Sequence, residues 1–162
     1  MQRLLSLGAA SLLFTVVVLS GSALRSSGVR AESAGMQDRF VGAWRLVSLE
    51  EADASGKVYR ADCTGLLAYT RDGHMSVQVM YRNPEMGGQA GPVQYAQGGY
   101  EASFGSYQID ESSRTFTFHV EGAMVRSLIG KDLPRAFEFA GQRLIVKSAN
   151  ANEHWQATWE HY

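Results

Sequence analysis

Gly42-Ala43-Trp44-Arg45-Leu46-Val47-Ser48-Leu49-Glu50 is the stretch on which the reading of this chain turns. Trp44, Leu46, Ser48 and Glu50 alternate with Arg45, Val47 and Leu49, a period of two that belongs to an extended strand, and both faces of that strand are partly apolar. A glycine at the entry lets the chain bend into a tightly curved strand. A Trp two residues on, turned inward, closes one end of a small barrel with a large apolar surface.

Moving outward from this stretch, short extended runs alternate with turn chemistry. Ala52 to Arg60, with Asp53, Ser55 and Gly56, reads as a turn. Thr64 to Thr70 and His74 to Tyr81 are partner strands, and Arg71-Asp72-Gly73 between them is a hairpin turn because Asp and Gly tolerate positive φ. Residues 82–99 hold Pro84, Pro92 and several glycines and read as a loop, with one helical turn around Tyr95 to Ser103. Phe104 to Asp110 and Thr115 to Glu121 form a hairpin through Glu111-Ser112-Ser113. A bridge from Gly122 to Asp132 then leads to Arg135 to Phe139, Leu144 to Lys147 and His154 to His161, with turns at Ala140-Gly141-Gln142 and Asn150-Ala151-Asn152. These runs make about eight strands joined by short connections, and eight close a barrel that holds its own side chains or one small ligand. The fold class is therefore all-β: a single small antiparallel up-and-down β-barrel, its domain running from 37 to 162.

The first 31 residues read as an address. Arg3 gives a positive start, Leu4 to Leu19 an apolar run, and small residues allow cleavage after Ala23 or after Ala31. An uncleaved anchor and initiation at Met36 are the alternatives. A cleaved signal peptide is favoured because the run is short for a membrane span, and it makes the protein exported, periplasmic or secreted. Removing this segment takes Arg3, Arg25 and Arg30 and no acidic residue, so 15 basic residues become 12 against 16 acidic ones. The charges are scattered, with no basic stripe to track phosphates, so nucleic acid is set aside as a partner. Cys63, the only cysteine, excludes an internal disulfide and any cysteine-cluster metal site, and reads as a small apolar filler.

Arg135 shares its strand face with Phe137 and Phe139. If the rings point inward so does the guanidinium, which must then meet a carboxylate (Glu101, Glu121 or Glu138) or an acceptor on a ligand. Tyr69, Tyr81, Tyr95, Tyr100 and Tyr107 can pave a cavity with hydroxyl-tipped rings, and Gln78 is a similar candidate. His119 falls on the face opposite Phe116, Phe118 and Val120 and is expected outside; His74, His154 and His161 have no zinc-site spacing, so no metal and no cofactor are expected. The ligand-lining set is accordingly Arg135, Tyr107, Tyr69, Trp44, Gln78, Tyr100, Phe118 and Phe137, with no catalytic residue assigned. A packed barrel without a cavity, filled by Phe116, Phe118, Phe137 and Phe139, is the rival arrangement.

The segments Val41 to Ser48, Gly65-Leu66-Leu67-Ala68-Tyr69-Thr70 with Asp72-Gly73, His74-Met75-Ser76-Val77-Gln78 and Phe104-Gly105-Ser106-Tyr107 together resemble the bacterial and fungal lipocalin-like domain family. The likeness spans roughly Arg39 to Lys147 and includes His119-Val120-Glu121-Gly122. It implies a calycin-like, cup-shaped barrel in a family whose members mostly lack an assigned activity. Two features depart from the pattern. Paired histidines, frequent in the family, are replaced by Phe118-His119, which weakens an acid-base mechanism. The last strand carries no Arg to stack on the floor Trp, leaving Arg143 or Trp159 to cover Trp44. The resulting expectation is an exported protein that binds a small hydrophobic or weakly acidic molecule, as a monomer or weak dimer without a membrane span in the mature chain. The alternative is a cyclase or isomerase acting on a small organic intermediate inside the barrel.

Overall fold

The computed structural model describes residues 35–53, 55–83 and 99–162, so the leader segment, Tyr95 and most of the loop between Tyr81 and Tyr100 lie outside the described residues. Nine strands follow one another: β1 (Gly42–Ala52), β2 (Val58–Arg60), β3 (Cys63–Tyr69), β4 (His74–Tyr81), β5 (Tyr100–Asp110), β6 (Thr115–Ala123), β7 (Asp132–Ala140), β8 (Arg143–Ser148) and β9 (Trp155–His161). All pairings are antiparallel, in the order β2-β1-β3-β4-β5-β6-β7-β8-β9, and β1 also pairs with β9, so the sheet closes on itself. β2 pairs with Glu50 to Ala52 and β3 with Gly42 to Arg45 on the same edge of β1. Eight strands therefore make the barrel, and β2 is an added segment at one rim.

Two local readings are corrected. Val58–Arg60, read as part of a turn, is strand β2, and Tyr100 to Ser103, read as the end of a helical turn, is the start of β5. In both cases a neighbouring strand supplies the hydrogen-bonding edge: β1 for β2, and β4 for β5 through the Met80–Tyr100 and Gln78–Ala102 pairs.

The two apolar faces of β1 have one cause. Its register against β9 shifts between Leu46 and Ser48, a bulge that turns the strand over. Trp44 and Leu46 pack into the core before the shift, and Leu49 and Glu51 are buried after it, while Glu50 is exposed. A second bulge lies between Phe104 and Gly105 against β6; a Cβ at Gly105 would stand 1.9 Å from the His119 carbonyl oxygen, so only glycine allows this approach.

One end of the barrel is plugged. Residues 35–40 are helical and deliver Phe40, fully buried, into a ring cluster of Tyr69, Tyr107, Phe116, Phe137 and Phe139. The edge-to-face contacts among these rings, with centroids 4.9 Å apart for Phe40 and Phe137, add to simple area burial. Trp44 Nε1 donates to the Phe40 carbonyl at 2.8 Å, which satisfies the indole and ties the helix to the floor. Gly42, at φ +137°, admits the chain into β1 where a Cβ would lie 2.8 Å from the His161 ring. That ring, 3.5 Å from Trp44 between centroids, is the cover of the floor Trp in place of the expected Arg143 or Trp159.

Candidate functional site

A cavity of about 120 Å³ occupies the barrel above the plug. Period-two alternation aims one residue in two at it: Leu67 and Tyr69 from β3, Met75, Val77 and Val79 from β4, Glu101 and Ser103 from β5, Phe116 and Phe118 from β6. Leu133 and Arg135 of β7, Val146 of β8 and Trp155, Ala157 and Trp159 of β9 complete the wall, with Leu49 and Glu51 brought in by the β1 bulge. Leu128, from the 3-10 turn Arg126–Leu128 between β6 and β7, also borders it. The hollow is far larger than the roughly 10–15 Å³ one water needs and approaches the roughly 150 Å³ of an apolar hole able to hold benzene. The fully packed arrangement is thereby corrected: Phe137 and Phe139 fill the floor with Phe40, while Phe116 and Phe118 border the cavity above it.

Of the sequence-derived set, Arg135, Tyr69 and Phe118 line this cavity. Trp44, Tyr107 and Phe137 belong to the plug beneath it; Tyr107 is held there by its hydroxyl, which donates to the Thr70 carbonyl at 3.0 Å. Gln78 and Tyr100 are not among the lining residues, which corrects their inward reading. They alternate with inward Val77, Val79 and Glu101, so they stand on the outer face, where the Tyr100 hydroxyl donates to Gln78 Oε1 at 3.1 Å. His119 also stands outside, half-exposed, 2.7 Å from Asp132 Oδ1.

Arg135 brings a positive charge into the apolar wall. Its side chain is 13% exposed, and burial lowers its pKa from the usual range, opposed by Glu153 and Tyr69. Its carboxylate partner is Glu153, with Nη1 to Oε2 at 3.9 Å, not Glu101, Glu121 or Glu138. That ion pair is loose because Glu153 Oε2 already accepts from Ser148 Oγ at 2.8 Å and from Trp155 Nε1 at 3.3 Å. Trp155 lies under the guanidinium at 5.1 Å, and Nη1 also donates to the Pro134 carbonyl at 3.2 Å. A guanidinium has five N–H donors, so donor capacity is left over toward the hollow.

Three further polar groups border the cavity: Glu51, which the sequence analysis does not raise, Glu101, named there only as a possible partner of Arg135, and the hydroxyl of Tyr69, already in the lining set. Glu51, 1% exposed, accepts from Tyr81 at 2.5 Å and Tyr59 at 2.9 Å through Oε2, while its Oε1 is unpartnered. Glu101 is buried with neither oxygen in a hydrogen bond of normal geometry, and desolvation pushes its pKa up to about 7, with the neighbouring Ser103 hydroxyl working the other way. The Tyr69 hydroxyl is buried and unpartnered; burial raises its pKa well above the usual value, with Arg135 working the other way. Continuing the alternation back from Tyr107 through Gly105 and Ser103 reaches Glu101, a signal present in the sequence.

Cys63 lies on the inward parity of β3, and burial, then Glu51 and Asp62, push its thiol up to about 11. Among the described residues no three His, Cys, Asp or Glu side chains come together to hold a metal ion, and no helix is long and apolar enough to cross a membrane.

The fluorescent protein UnaG, in the crystal structure of one of its mutants, is similar to this chain at 12% identity and a TM-score of 0.40, over 77% of this chain and 97% of that one. No curated protein matches the sequence. A family model described as a lipocalin-like domain matches residues 41–161, from the entry of β1 to the end of β9. With the closed eight-strand barrel already traced through the same residues, the chain belongs to the lipocalin-like domain family.

Proposed function

We propose that this chain is an exported carrier that shelters one small, mostly apolar and weakly acidic molecule in its barrel, as a monomer or weak dimer. The observation that carries the reading is Arg135: a guanidinium turned into an apolar hollow, with the Glu153 carboxylate at 3.9 Å and engaged elsewhere. An acidic ligand group would give that charge the hydrogen bonds its surroundings leave open. Burial of about 250 Å² of ligand apolar surface at roughly 25 cal/mol per Å² contributes about 6 kcal/mol before the costs of association. Micromolar binding thus needs the charged anchor in addition to the walls. Export is supported by the leader-like composition of residues 1–31.

Calorimetric titration with hexanoate and hexan-1-ol, which share a chain and differ in charge, tests the anchor. Arg135→Gln is expected to weaken hexanoate by on the order of thirtyfold and hexan-1-ol by less than about threefold. Equal loss for both removes the anchor from the account.

A second reading, catalysis of cyclisation or isomerisation inside the barrel, has one observation in its favour. The unpartnered Tyr69 hydroxyl, held neutral by burial, lines the hollow together with Arg135 and could give a proton while the guanidinium meets an oxyanion. Turnover of a candidate substrate that Tyr69→Phe abolishes without loss of binding would establish it; unchanged turnover in that variant would exclude it.

A further inference from the structure

Glu101 is the least satisfied polar group of the cavity. It is 5% exposed, both carboxylate oxygens lack a hydrogen-bond partner, and it stands in the wall beside Val79 and Ser103. A buried carboxyl in that condition destabilises the fold, more so when ionised, unless something supplies donors. The charged or titratable groups sharing the cavity are Glu51 on β1, Tyr69 on β3 and Arg135 on β7. β4 contributes only Met75, Val77 and Val79, and β6 only Phe116 and Phe118. Arg135, the only cation among the described lining residues, lies on β7, two strands along the sheet from β5, a spacing of about 10 Å, and its guanidinium faces Glu153 and Trp155. Among the described residues no cation is therefore paired with Glu101.

We infer that Glu101 forms a second binding subsite in the barrel, selective for a basic amine, so that the sheltered ligand carries an ammonium group at one place and an acceptor or acidic group at another. The inference rests on the ligand-binding reading above and adds the chemical class of the ligand's other polar end. A primary ammonium supplies three N–H donors and one positive charge, which meets both orphan oxygens and offsets the cost of ionising the carboxyl. A neutral alcohol supplies one donor and no charge.

The test uses n-hexylamine, hexan-1-ol and hexanoate on the intact chain by calorimetry. At about pH 8 the wild type is expected to bind hexylamine at least about tenfold more tightly than hexan-1-ol. Glu101→Gln reduces that ratio to about one, whereas Glu138→Gln, on the exposed face of β7, leaves it unchanged. Lowering the pH to about 5 protonates Glu101 while hexylamine stays charged, so the wild-type ratio falls by at least about tenfold without any substitution. Hexan-1-ol and hexanoate binding with no preference for hexylamine, or a preference that survives both Glu101→Gln and acid, overturns the amine subsite alone. Failure of all three to bind overturns the ligand-binding reading and the subsite together.

Discussion

At the scale of single residues, the cavity is defined by side chains whose charge and surroundings disagree. Glu101 gives a measurable consequence for stability. Its carboxyl titrates near pH 7 in the fold instead of in the ordinary carboxylate range, because burial favours the neutral form. A raised acid contributes stability that is fully present below its unfolded value and is lost as pH rises through its folded one. Urea titrations should therefore show the wild type losing about 2 kcal/mol between about pH 5 and pH 8, with allowance for solvent reaching the cavity, and Glu101→Gln should flatten that slope. A slope unchanged by the substitution would place the titration elsewhere. Cys63 gives a second consequence: with its thiol at about 11, little thiolate exists at pH 8, so a disulfide reagent should label the native chain about a hundredfold more slowly than the urea-unfolded one. Labelling at equal rates would contradict the burial of that side chain.

At the scale of elements, the helical residues 35–40 act through one side chain. Phe40 is completely buried among five rings, and Phe40→Ala should cost about 3–5 kcal/mol by chemical denaturation, a loss below about 1 kcal/mol meaning that the plug contributes little. The strands themselves were legible because inward and outward residues alternate in β4, β6 and β7, and Arg135 was legible through Phe137 and Phe139 on the same face. Phe40 was not, since a single anchor ahead of the first strand leaves no periodicity to read. Glu51 was hidden by the bulge in β1, which exchanges the faces of that strand at a point no alternation reveals. Gln78 and Tyr100 were misplaced for a simpler reason: they fall on the even positions of β4 and β5, opposite Val77, Val79 and Tyr107, so the pattern that located the wall also excludes them.

At the scale of the whole molecule, closure and plug divide the barrel into a solid floor and a hollow upper half. Aromatic rings and Trp44 hold the first together, and the second is lined by apolar side chains interrupted by Arg135, Glu101, Glu51, Ser103 and Tyr69. Closing β1 onto β9 joins the eight barrel strands into one continuous wall around the hollow. The polar groups are few and lie on different strands, which suits recognition of one small molecule by orientation more than by bulk. The most direct measurement of that claim is native mass spectrometry of the chain purified from the cells that make it. The account predicts one small molecule retained per barrel, with occupancy that drops sharply in Arg135→Gln. A bare chain mass in the wild type, or an adduct held equally by the variant, would contradict it.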